Sequence, residues 1–187
     1  MTQLLTRRSV LAATAAALFL SPTASAQLFP EDPIIDGVRT NDVLKIRQAL
    51  LNGVSANSTT ADKIPLIILA AQLGHSDALA ELINGRARLN DRAPDGQTAL
   101  AVAARRGDLA CVQLLILAKA DVDKGGKFDE TPLFQAIRSG NVQVVKALIE
   151  AGADLALNDP TGRTPVELAQ ELRLNRVEAV LREAGAS

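Results

Sequence analysis

The sequence predicts an all-α solenoid of about five stacked helix–turn–helix units. Three observations carry that prediction. Short phrases return at a fixed interval: QTALAVAARRGD at Gln97–Asp108 is followed by ETPLFQAIRSGN at Glu130–Asn141. Single residue types keep the same step, as in Thr98, Thr131 and Thr164, in Gly74, Gly107 and Gly140, in Ala70, Ala103, Ala136 and Ala169, and in Asn57, Asn90 and Asp123. Between these markers, apolar residues fall at the i, i+3, i+4 spacing of one helix face. A fixed period of about 33 residues signals units that cannot bury their own apolar face and must stack on neighbours.

Each element of the unit has a local cause. A turn opens it, DGQT at Asp95–Thr98 or PTGRT at Pro160–Thr164. The threonine that ends the turn can cap a helix by accepting from free amides. A short Ala-rich helix follows, over about Thr98–Arg106, and Gly107 or Gly140 ends it in a left-handed conformation. A second helix runs over about Asp108–Ala118, or Asn141–Ala151 one unit later. Val112, Leu115 and Ile116 line one face of it, as Val145, Leu148 and Ile149 do in the next unit. AGADLA at Ala151–Ala156 closes the unit. The first unit is expected near Asp36–Asn57, with DGVRTND as its turn-like opening. In the last unit the step from Thr164 to Val177 is one position shorter than the step from Thr131 to Val145, which predicts a register shift in the final outer helix. Arg86 and Lys119 stand at the repeat position of Gly53, Gly152 and Gly185, which is expected to be left-handed.

This pattern resembles the ankyrin repeat, whose signature is a turn, then Thr-Pro-Leu-His-x-Ala-Ala, then Gly, then Leu-Leu and Gly-Ala-Asp. TPLFQAI at Thr131–Ile137 and TPVELA at Thr164–Ala169 carry the match best. The resemblance implies a solenoid over residues 36–187, the end units acting as caps. The family's histidine is replaced throughout, by Ile68, Ala101, Phe134 and Glu167, so its hydrogen bonds must be lost or replaced.

Residues 1–26 do not follow the repeat. Arg7 and Arg8 precede an apolar run, Val10–Leu20, and SPTASA ends in a small-x-small site. This is the layout of an export signal, and the run is too short to span a bilayer, which takes about 20 residues. Cleavage is expected between Ala26 and Gln27, leaving an extension over residues 27–35. The paired arginines resemble a twin-arginine signal, although Val10 and Ala12 depart from it, so general secretory export stays open. The expected location is the bacterial periplasm or outside the cell.

Without the signal, which holds Arg7 and Arg8 and no acid, the chain keeps 18 basic and 21 acidic residues. That balance disfavours nucleic acid, which needs clustered Lys and Arg. Cys111 has no second cysteine to pair with and lies in the apolar run LACVQLLIL. His75 is the one histidine, so neither a zinc set nor a Cys–His dyad can be assembled. KGGKF at Lys124–Phe128 is a repeat junction, not a phosphate loop. The adjacent acids Asp121 and Asp123, and Asp129 and Glu130, read as solvated turn charges. No catalytic site, metal or cofactor is therefore expected.

The resemblance implies that partners bind turn tips and the exposed side of the inner helices. Carried over by position, the tips offer Asp62 and Ile64, Asp95 and Gln97, Phe128 and Glu130, and Thr161 and Arg163. The helix ends offer Gln72 and Leu73, Arg105 and Arg106, Arg138 and Ser139, and Glu171 and Leu172. Arg105, Arg106 and Arg138 are expected to form a basic strip suited to carboxylates. Phe128 is expected as an aromatic anchor. The reading is a monomeric, non-enzymatic scaffold that binds a protein. A cell-envelope structural or membrane-surface protein, and an enzyme of unfamiliar type, are the alternatives. No amphipathic basic helix supports the membrane-surface role.

Overall fold

In a computed structural model, residues 32–126 and 130–186 are described here. Residues 1–26 of the expected signal, the Ala26–Gln27 junction, Phe128 and Asp129 lie outside the described residues. The fold is all-α, with ten helices and no strand among the described residues. They form five pairs: α1 (Pro33–Thr40) with α2 (Val43–Leu51), α3 (Leu66–Leu73) with α4 (Ser76–Asn84), α5 (Ala99–Arg106) with α6 (Leu109–Leu117), α7 (Pro132–Ser139) with α8 (Val142–Glu150), and α9 (Pro165–Glu171) with α10 (Asn175–Glu183). The first helices of the pairs start at one constant step along the chain, and the second helices start at the same step. Inner helices α1, α3, α5, α7 and α9 stack in sequence, and outer helices α2, α4, α6, α8 and α10 stack beside them.

The core is the seam between the two stacks. Leu66, Ile67, Leu100, Leu133, Phe134 and Ile137 from the inner helices are fully enclosed, with Leu79, Leu82, Leu115 and Leu148 from the outer ones. Alanines at 70, 103, 136 and 169 are also fully buried within the stacked inner helices. Every inner helix is followed by a left-handed residue at the same repeat position: Asn41, Gly74, Gly107, Gly140 and Arg173. The residue after it stands at the N-cap of the outer helix, and in three units its side chain caps that helix. Asp42, Asp108 and Asn141 accept the amides of Lys45, Cys111 and Val144 in this way.

Two expectations need correction. The final outer helix keeps its register: Val177 and Leu181 are buried where Val144 and Leu148 lie one unit earlier. A shift follows only from aligning Val177 with Val145. Both Val144 and Val145 are buried in α8, and Val144 is the true counterpart. The first inner helix begins at Pro33, capped by Asp32, rather than after a turn at Asp36. Its Gly37 is not a turn glycine: a Cβ there would lie 2.9 Å from Ile46 Cγ1, so α1 and α2 can cross only without one.

The replaced histidines resolve in two ways. Ile68, Ala101 and Phe134 are buried core residues, and Glu167 instead closes a capping box with Thr164. Thr98 caps Ala101, whereas the Thr131 hydroxyl is buried without a hydrogen-bond partner among the described residues.

Candidate functional site

The inner helices leave their C-terminal ends uncovered. That face and the turn tips carry the residues expected from the sequence. Its two halves differ in chemistry.

The C-terminal half is an internal ion network. Asp159 opens the last turn, and its side chain is wholly buried. Its Oδ1 accepts the amides of Thr161 (2.9 Å) and Arg163 (3.0 Å) and the Thr161 hydroxyl (2.6 Å). Its Oδ2 accepts Arg163 Nε (2.9 Å) and Nη2 (2.6 Å). Burial alone would raise the pKa of this carboxyl. The hydrogen bonds from Arg163 and Thr161 outweigh burial and hold it well below the usual carboxylate range. Arg163 also donates to Glu171 on α9. Arg138 on α7 donates to Glu130 at 2.7 Å and lies 3.5 Å from Asp159. Glu130 further accepts from the Gln135 side-chain Nε2 at 2.6 Å. Thus Glu130, Arg138 and Arg163, all expected at a partner surface, belong to one network: Glu130 pairs directly with Arg138, and Asp159 links Arg138 to Arg163. Sequence reasoning does not single out Asp159; its signal is an acid at the turn start with an arginine four positions on.

The N-terminal half is open and mixed. Leu69, Gln72 and Leu73 lie along the free side of α3, and Leu73 is exposed. A groove is lined by Arg39, Thr60, Asp62, Ile64, Leu69 and Leu73. Arg106 on α5 reaches back one unit, its Nη2 donating to the Leu73 carbonyl at 3.4 Å. Arg105 beside it is exposed and makes no ion pair or hydrogen bond among the described residues. The expected strip is therefore not three equivalent cations. Arg105 is open, Arg106 holds a helix end, and Arg138 is neutralised by Glu130 and Asp159. Leu69 escapes sequence reasoning because LIILAAQL is largely apolar on all sides, so periodicity cannot separate its open face from its buried one.

The turn tips are mainly architectural. Asp95 accepts the Gln97 amide at 3.1 Å, and Gln97 Oε1 is buried without a partner among the described residues. The next turn covers Gln97, since a Cβ on Gly126 would sit 3.5 Å from it. Asn57, Asn90 and Asp123 bridge neighbouring units, accepting the amides of Arg88 (2.7 Å), Asp121 (3.0 Å) and Asp154 (2.9 Å).

The remaining reactive side chains are structural. His75 Nδ1 lies 2.9 Å from the Val38 carbonyl, which fixes the proton on Nδ1 and ties α4 to the end of α1. Cys111 is fully buried, and desolvation, with the nearby Asp108 adding to it, pushes its thiol up to about 12. Among the described residues no group of His, Cys, Asp or Glu is placed to hold a metal ion, and no helix is long and apolar enough to cross a membrane.

No curated protein matches the chain. A family model described as ankyrin repeats (3 copies) matches residues 37–125 and 102–187, nearly all of the repeat region. Ankyrin repeats are protein-interaction units, and here the period, the paired helices and the stacked inner and outer rows accompany that match. The chain belongs to the ankyrin-repeat family.

Proposed function

We propose that the chain is exported to the bacterial periplasm, or beyond it, as a non-enzymatic scaffold that holds a protein partner on its inner-helix face. There it would modulate or protect an exported enzyme or an envelope complex. The observation that carries the binding site is the contrast within that face. On that face the arginines of units four and five, Arg138 and Arg163, are paired with Glu130, Asp159 and Glu171, whereas units two and three offer Leu73, Gln72 and an exposed Arg105 that has no ion pair or hydrogen bond among the described residues. Export rests on the paired arginines, the apolar run and the small-x-small site before Gln27.

Two measurements test the two parts. A photo-crosslinking residue at Gln72, Arg105 or Ser139 on the inner face should capture the partner in cells, and one at the outer-helix residue Leu117 should not. Capture only at Leu117 overturns the inner-face reading. For export, cell fractionation followed by intact-mass measurement should find a periplasmic chain beginning at Gln27. A cytoplasmic chain that retains Met1–Ala26 overturns it.

A further inference from the structure

We infer that the groove between the first two units docks an extended segment of a protein partner, one that places an apolar side chain beside a carboxylate. This deepens the inner-face reading and rests on it. Ile64, Leu69 and Leu73 supply an apolar floor, with Ile64 and Leu69 half-buried and Leu73 exposed. The two ends of the floor carry opposite charge. Asp62 lies at the turn-tip end, and Arg39, itself engaged by a partner within the chain, lines the other end, where α1 and α3 terminate.

The basic end continues into the next unit. The Arg106 guanidinium rests on the Leu73 carbonyl at 3.4 Å, at the end of the helix whose Leu73 lines the groove, and offsets the negative helix end there. Arg105 follows on the same helix turn, exposed and without an internal acid among the described residues. The other two cations of the expected strip and its tips, Arg138 and Arg163, are already paired with Glu130, Asp159 and Glu171. A carboxylate arriving on this face therefore finds an arginine without an internal acid among the described residues at Arg105 in unit three, next to the Leu73 end of unit two. Asp62 repels an acid from the opposite end and sets the direction of the segment. An apolar side chain on Leu69 and Leu73, with the acid toward Arg105 and Arg106, satisfies both ends. Arginine can hold that acid through two parallel hydrogen bonds.

The test is a random dodecapeptide phage library panned on the full-length chain, with enriched sequences resynthesised and measured by fluorescence anisotropy. Enriched peptides should pair Leu, Ile or Phe with Asp or Glu. They should bind at least tenfold more weakly to Leu73→Asp and to Arg105→Glu, and unchanged to Leu117→Asp on the outer helices. All three sites are exposed, and matching circular dichroism and unfolding midpoints would confirm intact folds. No enrichment, basic peptides, or binding that ignores both inner-face substitutions would overturn the proposal. A partner that crosslinks from Gln72 yet tolerates both substitutions would overturn it while leaving the inner-face reading standing. A partner that crosslinks only from Leu117 would overturn both.

Discussion

Arg138, at the end of α7, lies 3.5 Å from the carboxylate of Asp159, which opens the turn of the following unit. This contact joins the end of α7 to the turn that leads into α9, across a repeat boundary. Asp159 has no exposed side-chain surface, so its charge survives only because Arg163, Thr161 and Arg138 surround it.

Replacing Asp159 by Asn should therefore destabilise the chain by about 1.5–3 kcal/mol at neutral pH, the range for a lost hydrogen bond to a charged group. The pH dependence has a definite sign. The folded-state pKa is depressed, so the stabilisation is fully present above the unfolded value of about 3.9 and is lost as pH falls toward the folded value. Urea unfolding of both proteins should show the gap between wild type and Asp159→Asn closing below about pH 4. A gap that stays constant down to pH 2 would mean that the carboxylate's charge contributes nothing.

Lys119 and Arg86 occupy a left-handed position, with φ of 70° and 62°, and both are exposed. The glycines at the same repeat position have φ of 87° to 94°. A side chain there costs about 1–2 kcal/mol, and glycine returns part of that gain by loosening the unfolded chain. Lys119→Gly should thus raise stability by about 0.5–1 kcal/mol, seen as an unfolding midpoint roughly 1–4 °C higher. Gly152→Ala should lower it comparably, even though no atom lies within 4 Å of the added Cβ. Crowding cannot explain such a loss, so backbone conformation would be its cause.

Much of the fold is legible because the period is strict. Aligning Thr98, Gly107 and their counterparts places each helix after the first unit to within a position or two. The first unit misleads for a physical reason. Gly37 reads as a turn residue, yet it serves close helix crossing, and only the position of Ile46 reveals that. The site is less legible. A strip of three arginines assumes equal surroundings, but Arg106 is drawn to a carbonyl of the preceding unit and Arg138 to a buried acid in the following turn. Such partners depend on which side chains face each other across a unit boundary. No single-unit pattern encodes that.

Asn90 carries a bond between units, accepting the Asp121 amide at 3.0 Å, and Asn57 and Asp123 do the same at their own boundaries. Asn90→Ala should cost about 0.5–1.5 kcal/mol, the net worth of one such bond. Asn90→Asp should cost less, because Asp123 already performs the same task with a carboxylate oxygen. At the next repeat position Ala156 has no side-chain oxygen to make such a bond, so the series of bridges among the described residues runs from Asn57 to Asp123.

Cys111 tests the packing of the seam between the stacks. It is wholly enclosed on α6, and its thiol is pushed up to about 12 by burial and by Asp108. In a thiol-oxidising compartment an exposed cysteine would be a liability, whereas this one carries almost no thiolate at neutral pH. Alkylation by iodoacetamide at pH 8 should be at least a hundredfold slower in the native chain than in urea. Its rate should follow the opening of the fold rather than the reagent's intrinsic reactivity. Cys111→Ser should destabilise by about 1–3 kcal/mol, because a hydroxyl costs more to take out of water than a thiol and the nearby Asp108 carboxylate offsets only part of that cost. Cys111→Ala keeps the apolar character and loses only volume, so it should cost less than the serine variant. A native thiol that reacts as fast as the unfolded one would show that the α6–α8 region opens freely, and the core described for the central units would then be too loose to hold their inner-face geometry.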